Sequence, residues 1–363
     1  MKIYSLPCIL LQCILPAAVL GQNPWMVGPF VKVDSANPCL IPATTSRFSC
    51  PVRRTEVRWE AKDVFNPAAV VHDGRIYLLY RAQDNVGKPE GTSRIGLAWS
   101  DDGLRFTRSP SPVLYPENDF MKEYEWEGGC EDPRVVRTET GEYIMTYTAY
   151  DGRLARLAIA TSRDLVHWKK RGLAFGNEGG SKYRNIWSKS GSIVSRWVSG
   201  TCQAVKINGR YWMYWGESDI FLATSEDLVH WSPLLNPRGG PLPALAPRPG
   251  SFDSRLVEPG PPAFLTTSGI ILIYNSSNDR VSGDHRLPPG TYAAGQALFA
   301  PDNPSRLLRR SESCFFMPER PYERTGQVNN VCFLEGLVQF NGHWMLYYGT
   351  ADSKIAVALC HWP

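Results

Sequence analysis

Asp164-Leu-Val-His-Trp168 returns further along the chain as Asp227-Leu-Val-His-Trp231, and Ser100-Asp-Asp-Gly-Leu-Arg-Phe106 is a looser copy. Each copy follows a short apolar strand: Ile95-Gly-Leu-Ala98, Leu157-Ala-Ile-Ala160 and Ile220-Phe-Leu-Ala223. Gln296-Ala-Leu-Phe299 and Ile355-Ala-Val-Ala358 are two more such strands. Upstream of each stands an aromatic-rich run: Ile76-Tyr-Leu-Leu-Tyr80, Tyr143-Ile-Met-Thr-Tyr147, Tyr211-Trp-Met-Tyr-Trp215, Ile270-Ile-Leu-Ile-Tyr274 and Trp344-Met-Leu-Tyr-Tyr348. These runs are preceded in turn by Asp73-Gly74, Thr140-Gly141, Asn208-Gly209, Ser268-Gly269 and Asn341-Gly342. Asp-Gly and Asn-Gly between apolar runs are the strongest short hairpin signals. The five glycines lie 67, 68, 60 and 73 residues apart.

A unit of three or four short antiparallel strands cannot bury both its faces alone, and radial packing of such sheets gives a β-propeller. The sequence therefore predicts an all-β chain: a five-bladed β-propeller over residues 56–363 with an active site at its central channel. A β-sandwich is the weaker alternative, since sandwiches do not repeat at this interval. The last unit stops after its third strand, so its outer strand is expected from residues near Glu56–Trp59. Residues 22–55, rich in Pro, Ser, Thr and Asn, read as an arm or linker.

Residues 1–21 read as an export signal, with Lys2 ahead of the apolar Ile9–Leu20 stretch and cleavage near Gln22. Ile9–Leu20 is short for a membrane span. A lipid anchor on Cys13 is disfavoured by Gln12. Seven of nine cysteines remain beyond that segment, irregularly spaced and without a C-x-x-C pair, which argues against zinc or redox motifs. Cys39 and Cys50 are close enough in sequence to bridge. The formal charge of +4, with no basic run interleaved with aromatics, argues against nucleic acid. No phosphate loop, dinucleotide fingerprint or H-E-x-x-H motif is present, and neither metal nor cofactor is expected.

In a propeller the residues that open the first strand of each blade converge on one end of the channel. Those positions read Asn66-Pro67, Glu131-Asp132-Pro133-Arg134, Cys202-Gln203, Glu258-Pro259 and Glu335-Gly336. Arg81 and Asp84, Glu217 and Asp219, and Asp352 approach the same level after the second strands. A mouth dense in acids, amides and rings suits a sugar. Two carboxyl groups flanking a scissile bond are the usual equipment of glycoside cleavage.

Taken together, Phe65-Asn-Pro-Ala68, Tyr80-Arg-Ala82, Ser93-Arg-Ile-Gly-Leu-Ala98, Gly129-Cys-Glu-Asp-Pro-Arg134, Met145-Thr-Tyr-Thr-Ala149, Lys189-Ser-Gly191 and Tyr347-Tyr-Gly-Thr-Ala-Asp352 resemble glycoside hydrolase family 130, the β-mannoside phosphorylases and their hydrolytic relatives. The resemblance runs from about Phe65 to Ala358. It implies that Asp132 is the general acid, acting through the mannose 3-hydroxyl. It also implies sugar contacts from Asn66, Arg81, Glu131, Arg134, Lys189 and Asp352. The chain departs from the phosphorylase pattern at Trp215-Gly216-Glu217, where a His-Arg pair usually assists phosphate. Glu217 and Glu258 are thus the candidates to activate water. The expected function is an exported, inverting β-mannosidase acting on β-1,2-linked manno-oligosaccharides. A phosphorylase releasing mannose 1-phosphate is the main alternative, and a non-catalytic sugar-binding propeller a lesser one.

Overall fold

The repeated pentapeptide is a self-contained turn. Asp164 Oδ1 accepts from the backbone N–H groups of Val166 and His167 at 2.9 and 2.8 Å, and Asp227 does the same for Val229 and His230. The tryptophan indole donates back to the leucine carbonyl in both copies, and each histidine leans on its aspartate at 2.7 Å. Leu165 and Leu228 occupy the left-handed region, at φ 65° and 68°. In the looser copy Gly103 stands there at φ 75°, a conformation that glycine adopts without strain. His167 and His230 are exposed and belong to this turn rather than to a site.

The computed structural model describes residues 25–176 and 182–361, and the expected export signal lies outside them. The described residues are nearly all β, with two four-residue helices among them, Lys122–Glu125 and Pro321–Arg324. Asp63–His72, Arg75–Gln83, Ser93–Ser100 and Thr107–Arg108 form an antiparallel meander. Gly129–Arg137, Tyr143–Tyr150, Ala155–Ser162 and Lys169–Leu173 form the next. Ser192–Ile193, Arg210–Trp215, Ile220–Ser225 and Trp231–Pro233 follow. Leu256–Pro259 and Phe264–Thr266 both pair with Gly269–Ser277, which leads to Tyr292–Phe299 and Leu307–Arg310. Cys332–Phe340, His343–Thr350 and Lys354–Cys360 complete the series. Apolar clusters fill the spaces between neighbouring meanders. One joins Val64 and Leu78 of the first to Met345 and Val357 of the last, which closes the ring of contacts.

The fourth strand of the last meander is Val31–Lys32, paired with Leu359 and Ala358. This corrects the expectation of Glu56–Trp59: Thr55–Val57 pairs instead with Phe48–Cys50 in its own hairpin. Trp25 and Val27 are buried in the cluster beneath the last meander, so part of the expected arm is core. Cys39 and Cys50 are both free thiols, as are Cys130, Cys202, Cys314, Cys332 and Cys360. No bridge joins the first two.

A second repeat is invisible in the pentapeptides. The second strands carry buried tyrosines whose hydroxyls donate to buried carboxylates at 2.8 Å: Tyr80 to Glu60, Tyr147 to Glu125, Tyr274 to Asp253 and Tyr348 to Glu323. Each carboxylate also takes a cation from its outermost strand. Arg108 reaches Glu60, Lys170 reaches Glu125, Arg310 reaches Asp253 and Lys32 reaches Glu323, at 2.6–2.9 Å. Charge-assisted bonds of this kind contribute about 1.5–3 kcal/mol each. Lys32 thus explains why so short a strand holds the last meander. In the third meander Tyr214 donates to a carbonyl, Pro304 O, instead.

Candidate active site

The inner strands break their register at one level. Pairing shifts between Phe65 and Pro67, between Glu131 and Arg134, and between Leu334 and Gly336. The residues set free by these bulges are Asn66, Asp132 with Pro133, and Glu335. Bulges re-aim side chains and concentrate beside active sites. The sequence suits them: Asn66 and Asp132 take φ 47° and 48°, a region that Asn and Asp tolerate better than most residues. The prolines that follow have no N–H for a bulge to orphan. Gly129, at φ 114°, lets the Glu131 strand run against Ser93, since a Cβ there would lie 2.1 Å from the Ser93 carbonyl oxygen.

Asn66 Nδ2 donates to Asp132 Oδ1 at 3.0 Å. Arg81 forks between the paired acids, 2.7 Å from Glu131 Oε1 and 3.3 Å from Asp132 Oδ1, with its guanidinium over the Phe65 ring. Lys189 Nζ stands 3.8 Å from Asp132 Oδ2. Asp352 lies on a turn with Ala351, both in the left-handed region, and acts electrostatically on Arg81. Glu217 follows Gly216, whose N–H donates to Lys189 O at 2.8 Å. The backbone of Val257, next to Glu258, donates to Ser218 O. Glu217, Lys189 and Glu258 are therefore stitched together by main chain.

Arg134 is turned inward. Its Nε and Nη2 donate to the carbonyls of Gly260 and Pro259 at 2.7 Å, and it stands 3.6 Å from Glu335. The residue braces the mouth from one layer below, with its donors taken up by protein. The third meander brings Lys189 and Ser190 to the mouth, not Cys202-Gln203, which pairs with the Trp197 hairpin and meets the far end of the Gly129–Arg137 strand at Arg137. Asp84 also leaves the mouth: it pairs with buried Arg94 at 2.8 Å and accepts backbone N–H groups of its own loop.

The electrostatics are uneven. Burial pushes the Asp132 carboxyl up, but Arg81, Lys189 and Asn66 outweigh it and hold the group near about 2. Burial, reinforced by the charge of Glu217 and opposed by Lys189, lifts Glu258 to about 8. Asp352 rises to about 7 by burial, against the pull of Arg81. Glu131 rises by burial as well. Glu335 is fully buried and pushed well up by that burial, and neither carboxyl oxygen has a hydrogen-bond partner. Lys189 is raised despite desolvation because Glu217, Asp132, Glu131 and Glu258 surround it. Among the described residues no group of three or more His, Cys, Asp or Glu is placed to hold a metal ion, and no helix is long and apolar enough to cross a membrane.

The family model for glycoside hydrolase family 130, described as β-1,4-mannooligosaccharide phosphorylase, matches residues 38–362. The chain belongs to glycoside hydrolase family 130. A 1,2-β-oligomannan phosphorylase of Thermoanaerobacter sp. (strain X514) is 31% identical over 313 residues, 84% of this chain and 92% of that protein. A solved family 130 structure, described with glycoside hydrolases that target β-1,2 mannosidic linkages in Candida mannan, is 47% identical. It superposes with a TM-score of 0.92 over 94% of this chain and 96% of that one. A putative glycosidase from Bacteroides thetaiotaomicron VPI-5482 is 48% identical, with a TM-score of 0.89 over 91% and 96% of the two chains.

This family 130 site holds side chains that sequence reasoning passed over. Trp187 donates its indole N–H to Glu217 Oε2 at 2.8 Å. Ser93 bridges Arg81 and Glu131. Tyr292 feels both Glu258 and Glu217. Ser93 and Tyr292 share a position, at the start of the third strand of their meanders, so the repeat alignment held a signal for them. Trp187 lies on an irregular loop and left none. A cavity of about 460 Å³ opens beside Arg81, Glu131 and Lys189 and runs out to Tyr150 and Trp187.

Proposed function

We propose that this family 130 protein hydrolyses β-mannosides, foremost β-1,2-linked manno-oligosaccharides, at the mouth of a five-bladed propeller. One observation carries the choice of water over phosphate: the cations of the mouth are already engaged. Arg81 serves Glu131 and Asp132, Arg134 serves carbonyls and Glu335, and Lys189 stands among four carboxylates. A phosphate entering beside Glu217 would meet like charge, at about 4 kcal/mol for a pair of unit charges 4 Å apart in an effective dielectric of 20. Water meets no such barrier.

In the proposed step, water attacks the anomeric carbon and gives a proton to Glu217, with Glu258 beside it. The glycosidic bond breaks, and the departing oxygen takes a proton from the mannose 3-hydroxyl, which Asp132 replaces. Asp132 holds no proton in the empty site, being drawn down to about 2. Sugar hydroxyls that accept from Arg81 and Lys189 loosen that hold, and exclusion of water favours the neutral acid. Asn66, Arg81, Glu131 and Asp352 grip the ring, while Arg134 fixes the strand beneath it. Export through residues 1–21 fits hydrolysis, since phosphorolysis outside a cell would strand a sugar phosphate there.

The relatives named as phosphorylases, about 30% identical, support a second reading, release of mannose 1-phosphate. Turnover of β-1,2-mannobiose with and without inorganic phosphate separates the two. Equal mannose release in both supports hydrolysis. Dependence on phosphate, with mannose 1-phosphate as product, would defeat it.

A further inference from the structure

Glu217 sits on a tight turn, between Gly216 at φ 120° and Ser218 at φ 89°. Its half-buried side chain has rotamer freedom worth up to roughly 2 kcal/mol, which must be lost if its carboxylate is to meet a water at a fixed point. The structure supplies a restraint in Trp187, whose Nε1 donates to Oε2 at 2.8 Å. The backbone around Trp187 is tied down in turn: Ser188 N–H donates to Ala155 O at 3.0 Å, and Ser188 Oγ accepts from Leu157 N–H at 2.9 Å. Trp187 nonetheless leaves 47% of its surface open, large for an indole, on the wall of the cavity that Lys189 and Arg81 also line.

The donor type matters. An indole N–H donates, cannot accept and carries no charge. It therefore aims a carboxylate without neutralising it and without attracting a second anion. An arginine or lysine in its place would aim Glu217 equally well, but would lower its basicity and offer a landing point for phosphate.

The geometry points to Trp187 as a positioning residue for the nucleophile: it fixes Glu217 so that the free carboxylate oxygen faces water, and its uncharged ring walls the pocket against phosphate. This rests on the hydrolytic reading above. It assigns Trp187 a part in choosing the nucleophile, exercised through Glu217.

The test is a double-mutant cycle of Trp187→Phe and Glu217→Gln on β-1,2-mannobiose, with kcat and KM measured separately. Trp187→Phe keeps a ring and loses the N–H. The expected result is a fall in kcat of about tenfold, the scale of one hydrogen bond to a charged group, with KM within twofold. In the Glu217→Gln background the same change should cost less than twofold, because the amide can still accept the N–H but no base is left for it to aim. Trp187→His at pH 8, which restores a neutral ring N–H, should recover part of kcat. A Trp187→Phe enzyme with unchanged kcat, a loss confined to KM, or full additivity with Glu217→Gln would overturn the assignment. The thermal midpoint of Trp187→Phe should match wild type, as the ring is half exposed; a drop of many degrees would mark a structural role and overturn it too. Wild-type turnover only with phosphate would defeat the hydrolytic reading itself, and that control is read apart from the cycle.

Discussion

Two groups of carboxylates in this molecule are treated in opposite ways. Toward the rim, Glu60, Glu125, Asp253 and Glu323 are fully buried, and each has a tyrosine hydroxyl and a cation within 2.9 Å. At the channel mouth, Glu131, Asp132, Glu217, Glu258, Glu335 and Asp352 gather around Arg81, Lys189 and Arg134. There the acids outnumber the cations, and Glu335 and Asn66 Oδ1 have no hydrogen-bond partner. Buried polar groups are normally satisfied, and exceptions call for an explanation. At the rim, matched partners lock the outermost strands to the second ones. At the mouth, the mismatch crowds carboxylates around too few cations and leaves buried acceptors unpaired.

The contrast breaks first at Asp132. Asp132→Asn should lower kcat about a thousandfold, equivalent to roughly 4 kcal/mol, within the range for loss of general acid catalysis. Its melting temperature should fall by several degrees near neutral pH, since the charge that Arg81 and Lys189 stabilise is lost, but the folded enzyme should remain intact at assay temperature. Calorimetry beside steady-state kinetics checks both halves. Lys170→Met should invert that pattern. It leaves Glu125 buried beside Tyr147 without its 2.6 Å cation, and about 3 kcal/mol of unfolding free energy should go, while kcat of the folded enzyme holds. Urea titration followed by an assay at low temperature reads it.

Stability against pH sharpens the comparison. The folded Glu258 carboxyl stands at about 8 against an ordinary value of 4.5. Its raised pKa adds stability below about pH 4.5, which is lost as pH rises through 8, because the folded form binds the proton more tightly. Unfolding free energy should therefore decline from pH 5 to 8, by on the order of 3 kcal/mol from this group, and Glu258→Gln should flatten the slope. Asp132, held near 2, has the opposite sign: its contribution is present above pH 4 and is lost as pH falls through 2. The smallest effect belongs to the meander without a clamp. Tyr214→Phe, which gives up a bond to Pro304 O, should cost about 1 kcal/mol, and Tyr147→Phe, which strips a buried carboxylate, about twice that. Equal costs would mean that the acid and cation add nothing to the clamp.

Much of this architecture is legible in the chain. Asp73-Gly74, Asn208-Gly209 and Asn341-Gly342 announce hairpins, and both residues of each pair take positive φ. Asn66-Pro67 and Asp132-Pro133 mark two of the three bulges that aim the site, since Asn and Asp tolerate positive φ and proline leaves no N–H unpaired; the third, at Glu335-Gly336, carries no such mark. What escapes is what depends on partners distant in sequence. Val31–Lys32 is too short for periodicity to mark, and its worth lies in Glu323. Lys189 reaches the mouth ahead of a two-residue strand, Ser192–Ile193, so alignment on apolar runs selected Cys202-Gln203 instead. Asp84 and Glu217 look equivalent as acids after second strands, yet Arg94 claims the first and Trp187 the second. Charge is written in the sequence; its pairing is written in the fold.

Inversion with water predicts the anomer of the first product. Proton NMR of β-1,2-mannobiose mixed with the enzyme in phosphate-free buffer should show α-mannose appearing first, followed by slow mutarotation to the equilibrium mixture. Silence until phosphate is added, and then growth of an α-mannose 1-phosphate signal, would contradict the account.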